Sequence, residues 1–177
     1  MHAKNLIALL ALSLFAAAPS RAEIIVLSGG ESLPIGYMVP KLPALKGWHM
    51  VRLIGYIKFI PDGTEENNTP VSLTGRAEPT DYAAIDNTDD LFRRDSGDIR
   101  NSAVDAIIQR LPDIADADGQ KFLVYSFGTT KGWVARAYGV EDNYLLTFSL
   151  NARTKADYDK NFPVFADLVK RYAYKMR

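Results

Sequence analysis

The chain has 177 residues, of which 21 are Lys or Arg and 21 are Asp or Glu, and it contains no cysteine. Its 47% hydrophobic and 24% charged residues are typical of a globular domain, which excludes a disordered chain, a collagen, a coiled coil and a disulfide-stabilised scaffold. The balanced charge also excludes the basic excess with which proteins bind nucleic acid or an anionic membrane.

The first 22 residues have the features of a secretory signal peptide. Lys4 supplies the positive start, and residues 6–18 form an apolar segment that is shorter than the roughly 20 residues needed to span a bilayer. Ser20 and Ala22 place small residues where a signal peptidase cuts. We therefore predict cleavage after Ala22 and one domain over residues 23–177, in the bacterial periplasm or secreted. No cysteine follows the apolar segment, so no lipid anchor is expected.

Two segments rich in turn residues divide the first part of this domain. Residues 29–43 are rich in Gly and Pro and predict a long ordered arm, whereas residues 61–70 predict a hairpin loop. Between them, residues 50–60 are β-branched and aromatic and predict one strand. Residues 71–77 alternate apolar with polar side chains, which predicts a strand with one buried and one hydrated face.

The next segment, Asp89–Leu111, predicts a helix with a less regular apolar stripe that continues as far as Ile107, Ile108 and Leu111. The acidic residues 86–90 suit a helix N-terminus, where they interact favourably with the helix dipole. The pair at positions 96–97, a serine followed by a glycine, is the point at which this helix could break.

Three further strands are predicted at Lys121–Phe127, Gly132–Val140 and Asn143–Leu150. Their connections are too short for a parallel crossover, so the three strands form an antiparallel meander. The last strand alternates in a way that predicts a face covered by helices. The residues on that face are Tyr144, Leu146, Phe148 and Leu150.

A regular apolar stripe, with residues three and four positions apart, predicts a C-terminal helix. Thr154 is its predicted N-cap, and Lys170 and Arg171 suit its C-terminal end. Because Pro163 lies inside the stripe, either the helix bends there or a second helix begins near it. The stripe consists of Tyr158, Phe162, Phe165, Val169 and Tyr172.

The side chains that carry chemistry are few. Beyond the predicted signal peptide, His49 is the one histidine, so a His/Cys zinc site, thiol chemistry and a nucleophile with a histidine base are not expected. We predict a structural role for His49, no cofactor and no enzymatic activity. Residues 128–132 lack the spacing of a phosphate-binding loop and predict a hairpin turn.

The acidic residues leave two readings open. Residues 114–119 resemble a calcium-binding loop, with Asp116 and Asp118 in ligand positions, but Ile114 and Tyr125 occupy the two anchor positions that need charged or polar ligands. We therefore predict a polar turn. A pair of carboxylates acting on an envelope polymer stays open as an alternative, because the sequence does not show which acidic residues converge.

The C-terminal third resembles a known family. The stretch Asn143–Lys155, followed by Tyr158, Pro163–Phe165 and Leu168–Val169, is similar to the closing strand and helix of the PsbP-like superfamily, which includes small bacterial envelope proteins. The order of elements over Trp48–Tyr172 is similar as well. The resemblance implies an α+β fold, an antiparallel β-sheet flanked by helices in a PsbP-like α/β/α sandwich, and non-catalytic roles in assembly or binding. The metal-associated role of the photosynthetic member is not implied, since no ligand residue matches.

These observations predict an exported, soluble periplasmic protein with a non-catalytic binding or assembly role in the cell envelope. Its expected partner is another envelope protein, and neither nucleic acid nor a transmembrane segment is expected. A further alternative is that the protein carries a small apolar molecule in a cavity between the apolar face of the sheet and the C-terminal helix. We expect this helix to seal that face and to leave no room for a ligand. The predicted partner surface consists of Tyr37, Met38, Trp48, Lys131, Trp133 and Tyr138, where aromatic side chains border the arm and the meander turns.

Overall fold

The computed structural model describes residues 23–27, 35–53, 56–83, 85 and 87–173. The predicted signal peptide and residues 29–34 of the predicted arm lie outside this part of the chain. The strands are β1 (Glu23–Leu27), β2 (Ile35–Val39), β3 (Trp48–Leu53), β4 (Tyr56–Pro61), β5 (Val71–Pro79), β6 (Ile107–Ala115), β7 (Lys121–Thr129), β8 (Gly132–Glu141) and β9 (Tyr144–Ala152). The α-helices are α1 (Thr80–Ala83), α2 (Thr88–Ser102) and α3 (Lys155–Arg171), and a 3₁₀ turn spans Glu66–Asn68.

Seven strands form one antiparallel sheet in the order β3-β4-β5-β9-β8-β7-β6, and β1 and β2 pair separately as an antiparallel hairpin. The predicted meander is confirmed as β7, β8 and β9, which pair in succession through short turns. The predicted hairpin loop at residues 61–70 is confirmed between β4 and β5. With α3 on one face and α2 on the other, the predicted α+β sandwich is confirmed.

The prediction of one strand over residues 50–60 is wrong, because this segment contains parts of two strands. β3 and β4 pair antiparallel, and the pair Leu53–Tyr56 leaves two residues between them. A two-residue connection is enough to join antiparallel strands. The glycine at position 55 is the residue type that marks such a turn, and the continuous apolar character of the segment concealed it.

The predicted helix over Asp89–Leu111 is correct only in its first part. α2 continues through positions 96–97 without a break and ends at Ser102, and the apolar residues beyond it form β6 at the edge of the sheet. Ile107 and Ile108 are β-branched and favour a strand. Pro112 is tolerated there because an edge strand leaves one row of backbone N–H groups unpaired.

The apolar face of the sheet holds the main core, and α3 covers it as predicted. Leu146, Phe148 and Leu150 are fully buried, and Phe148 contacts Phe122 and Tyr172 at ring-centroid distances of 5.4 and 4.9 Å. α3 is one helix that contains Pro163, and its predicted N-cap, Thr154, accepts a hydrogen bond from the Asp157 N–H at 3.0 Å. Packed side chains occupy this face, which leaves the proposed carrier of an apolar molecule without its cavity.

Within the described ranges, the opposite face of the sheet is covered only in part. The N-terminal half of α2 is held there by Leu91, which is buried against Tyr138 and Leu145, and by Phe92, which stacks on Tyr125 at 3.8 Å. The C-terminal half of α2 continues beyond this apolar cluster, and beside it the sheet presents polar side chains. This uncovered region is the setting for the candidate site.

Candidate functional site: a polar groove between α2 and the sheet

An open groove of about 890 Å³ runs between α2 and the uncovered part of the sheet. Its floor comes from alternate residues of β5 and β9, because every second side chain of a strand points to the same face. The pairings Ser72–Asn151, Thr74–Ser149 and Arg76–Thr147 set these residues side by side. One face of β5 is therefore hydrated, as the alternation of residues 71–77 predicted.

The floor is rich in hydrogen-bonding groups that have no protein partner. Within the described part of the chain, none of its five neutral polar side chains makes a hydrogen bond to another residue. Two of them, Ser72 and Ser149, are more than nine-tenths buried. Their hydroxyl oxygens are not among the buried atoms that lack a partner, so these hydroxyls reach the groove and can bind a ligand or water. The five are Ser72, Thr74, Thr147, Ser149 and Asn151.

One ion-pair network joins α2 to the middle of the sheet. Asp95 of α2 accepts hydrogen bonds from Arg136 and from the Tyr138 hydroxyl, the latter at 3.0 Å. Burial is the largest single influence and lowers the pKa of the Arg136 guanidinium. The charges and hydrogen bonds of Asp95 and Tyr138 together outweigh burial and raise this pKa. Burial, together with the charge of Asp95, also raises the pKa of Tyr138. Arg136 is thus held charged beneath the groove.

A second network is centred on β5, which β9 separates from β8. Glu78 of β5 is buried and forms ion pairs with Arg76 and Arg94, the latter with 3.2 Å between Arg94 Nη2 and Glu78 Oε2. Arg94 Nε also lies 3.7 Å from Asp95 Oδ1, so the two networks are continuous. The side chains of Arg76, Arg94 and Arg136 keep 54%, 38% and 27% of their surface exposed. The carboxylates thus orient three arginines that stay accessible from the groove.

The groove is positively charged. Five basic and three acidic side chains line it, and the two most buried acids, Glu78 and Asp95, are already paired with arginines. The remaining basic residues, Lys131 and Arg153, lie towards one end. Such an arrangement favours an anionic ligand, because arginine offers planar, bidentate donors to carboxylate and phosphate groups.

The structure does not bring the residues of the predicted partner surface together in this groove. Tyr138 is fully buried under α2, so its ring is not exposed for contact. Trp48 and Trp133 are partly buried against the main core, on strands separated by β4, β5 and β9, and of the two Trp133 also borders the groove. Lys131 is exposed at the β7–β8 turn and lines the groove. Tyr37 and Met38 lie in β2.

Other motifs singled out in the sequence have structural roles. His49 is exposed on β3 with Nδ1 3.4 Å from Asp62 Oδ1, away from the groove. The calcium-like segment is the predicted polar turn, in which Asp116 Oδ1 accepts hydrogen bonds from the N–H groups of Asp118 and Gln120, both at 2.9 Å. Among the described residues, no group of three or more His, Asp or Glu side chains is placed to hold a metal ion.

Two acids do converge, but outside the groove. Glu141, at the end of β8, lies beside Asp116, and burial followed by the charge and hydrogen bond of Asp116 raises the pKa of Glu141 to about 8. A protonated Glu141 supplies the proton for that hydrogen bond. One oxygen of each carboxyl group is buried and has no other partner among the described residues.

Glu141 gives the protein a testable pH dependence. Because the folded protein holds the Glu141 proton more tightly than the unfolded chain does, this contribution to stability is present at low pH and is lost as the pH rises from 4.5 towards about 8. Glu141→Gln is expected to flatten the fall in Tm over this range, whereas the same change at the exposed Glu65 leaves it intact. Equal slopes for wild type and Glu141→Gln, measured by thermal unfolding from pH 4.5 to 8, would contradict the assignment.

No protein-family model matches the sequence, and no curated protein matches it. Among solved structures, the chain is similar to the cyanobacterial PsbP (CyanoP) from Synechocystis sp. PCC 6803, with 14% identity, 84% of this chain and 98% of that chain covered, and a TM-score of 0.49. It is also similar to PA94, a protein of unknown function from Pseudomonas aeruginosa, with 14% identity, 73% and 99% coverage and a TM-score of 0.49.

A further similar structure is the Ran-binding protein Mog1p from Saccharomyces cerevisiae, with 11% identity, 82% and 84% coverage and a TM-score of 0.42. A PsbP, from the superfamily that the sequence resembles, is one of these structures. These are similarities of backbone fold.

Proposed function

We propose that the protein is a non-catalytic binding protein of the bacterial cell envelope and that the polar groove is its binding site. The observation that supports this proposal is the open floor of unpartnered hydroxyl and amide groups beside three oriented arginines. Cofactor and ligand sites are usually concave and carry a few converging polar groups, and this groove has both properties. The two most buried acids of the groove are occupied by arginines, which leaves neither free for proton transfer.

The envelope location rests on the sequence. The positive start, the apolar segment and the small residues at Ser20 and Ala22 support export and cleavage after Ala22. β1 begins at Glu23, so this cleavage removes no described strand. None of the helices in the described ranges has the length and apolar character to cross a membrane. N-terminal sequencing of the protein from a periplasmic fraction should begin at Glu23, and an intact Met1 in a cytoplasmic fraction would refute export.

Arg94 and Arg93 provide a matched pair of variants for testing the groove. Both lie on α2, but Arg94 lines the groove, whereas Arg93 is 74% exposed and pairs with Asp90 outside it. The test is co-sedimentation of each purified protein with isolated envelopes from the producing organism. We expect Arg94→Ala to reduce retention about tenfold, as the loss of one charge-assisted hydrogen bond does, and Arg93→Ala to behave as wild type. Equal retention of all three proteins would exclude the groove as the binding site.

The hydrolase alternative keeps one supporting observation, the pair formed by Asp116 and Glu141. The raised pKa of Glu141 is a property of catalytic acids, although structural pairs share it. The two interpretations differ in turnover. If the protein only binds, the envelope material recovered after incubation has an unchanged molecular mass. Cleavage of this material that is lost in a correctly folded Glu141→Gln variant would establish the hydrolase and overturn the proposal.

A further inference from the structure

We propose that the ligand of the groove is an acidic carbohydrate, a sugar unit that carries a carboxylate or phosphate group. This inference rests on the proposed function and assigns a ligand class to the same groove. The groove has two kinds of binding group. Its arginines recognise oxyanions, and its row of neutral polar side chains recognises hydroxyl groups.

The arginines define the charged end of the ligand. Arg76 and Arg94 both form ion pairs with Glu78, and Arg136 forms an ion pair with Asp95. The three guanidinium groups are therefore oriented before a ligand binds. Orientation in advance reduces the entropy lost on binding. Each guanidinium has five N–H donors, more than its carboxylate partner takes up, and donors that remain on exposed edges suit the paired oxygens of an oxyanion.

The floor defines the rest of the ligand. Hydroxyl and amide side chains both donate and accept hydrogen bonds, as sugar hydroxyls do, and none of the five in the described floor has a protein partner. Ser72 and Ser149 are the most informative, because both residues are more than nine-tenths buried while their hydroxyl oxygens stay accessible from the groove. A small inorganic anion would not form hydrogen bonds with all of these side chains, and an apolar ligand would leave their hydrogen-bonding groups without partners.

An aromatic side chain and the size of the groove fit the same ligand class. Tyr56 is partly exposed in the lining, and an aromatic ring supplies apolar contact area for one face of a ring-shaped ligand. The groove volume of about 890 Å³ lies within the roughly 300–1,000 Å³ range of small-molecule sites. One to a few sugar units therefore fit, and the open form of the groove allows a longer chain to continue beyond it.

The test uses the full mature protein and probes that separate charge from hydroxyl groups. Trigalacturonic acid carries both, its trimethyl ester keeps the hydroxyl groups without the charge, and tricarballylic acid keeps three carboxylates without the sugar rings. Glucose 6-phosphate and inorganic phosphate distinguish a sugar phosphate from the free anion. Affinities are measured by isothermal titration calorimetry at fixed salt, because exposed charge pairs are screened.

We expect at least one acidic sugar, trigalacturonic acid or glucose 6-phosphate, to bind about tenfold or more tightly than its neutral or sugar-free counterparts. Arg94→Ala should weaken this binding about tenfold, and Arg93→Ala should leave it unchanged. Ser149→Ala should weaken binding severalfold without lowering Tm, because its hydroxyl has no partner to lose. Ser126→Ala, which removes a hydroxyl bonded to Tyr158 on the opposite face, should leave binding unchanged.

Other results overturn the inference in distinguishable ways. Equal affinity for the acidic sugars and for tricarballylic acid or phosphate would mean that the groove recognises only an anion. Equal affinity for trigalacturonic acid and its ester would mean that the arginines do not select charge. If no probe binds while envelope retention still depends on Arg94, the ligand class is wrong and the proposed binding function stands. If retention is also independent of Arg94, both proposals fail.

Discussion

Replacing Phe148 with alanine is expected to lower the free energy of unfolding by about 3–5 kcal/mol. Phe148 is fully buried at the centre of the face that α3 covers, and its ring contacts Phe122 and Tyr172. The change removes buried apolar surface and leaves a cavity that the close-packed neighbours fill only in part. Urea unfolding followed by circular dichroism measures the loss.

Phe162 is the matched control for this prediction. It is the same residue type, but it is only partly buried on the side of α3, where it contacts Tyr158 and Phe165. Phe162→Ala should therefore cost clearly less than Phe148→Ala. If the two variants were equally stable, the main core would not lie between α3 and this face of the sheet, and the argument that the face is sealed against a ligand would fail.

Replacing Asp95 with alanine is expected to cost about 2–3 kcal/mol, the second largest effect. The change removes the acceptor of Arg136 and of the Tyr138 hydroxyl in the interior beneath α2. A largely buried guanidinium without its counter-charge is costly, although the exposed quarter of Arg136 keeps the loss below that of a fully buried pair. The same variant should weaken ligand binding, because Arg136 loses its orientation.

Asp98, one turn further along α2, supplies the control. It is exposed, so Asp98→Ala should change the free energy of unfolding by no more than about 0.5 kcal/mol. In the double variant Asp95→Ala/Arg136→Met the loss should be smaller than the sum of the two single losses, because the buried charge is gone. Strict additivity in urea unfolding would show that Asp95 and Arg136 do not act as a pair.

The elements with strong local signals could be predicted from the sequence. The meander follows from alternation and short turns, and α3 follows from a regular stripe with Thr154 as its cap. The hairpin of β3 and β4 was hidden inside one continuous apolar run. β6 was mistaken for helix because residues such as Ile107 and Ile108 fit irregular helical spacing, and only pairing with β7 decides their conformation.

The groove depends on contacts that sequence spacing does not show. Arg76, Arg94 and Arg136 belong to β5, α2 and β8, which become neighbours only when β9 pairs between β5 and β8 and α2 packs across them. One signal was present. The polar members of the alternating segments, Ser72 and Thr74 in β5 and Thr147 and Ser149 in β9, mark a hydrated face. The sequence prediction considered mainly the apolar partners of these residues.

Backbone amide chemical shifts are the most direct test of the claim that binding takes place in the groove. The ¹⁵N-labelled mature protein is titrated with soluble oligosaccharides released from envelopes. The account predicts shifts concentrated in β5, in β9 and in the C-terminal half of α2, with α3 and the Asp116–Glu141 turn unchanged. Shifts concentrated in α3, in β2 or around those two acids, with the groove strands unaffected, would contradict it.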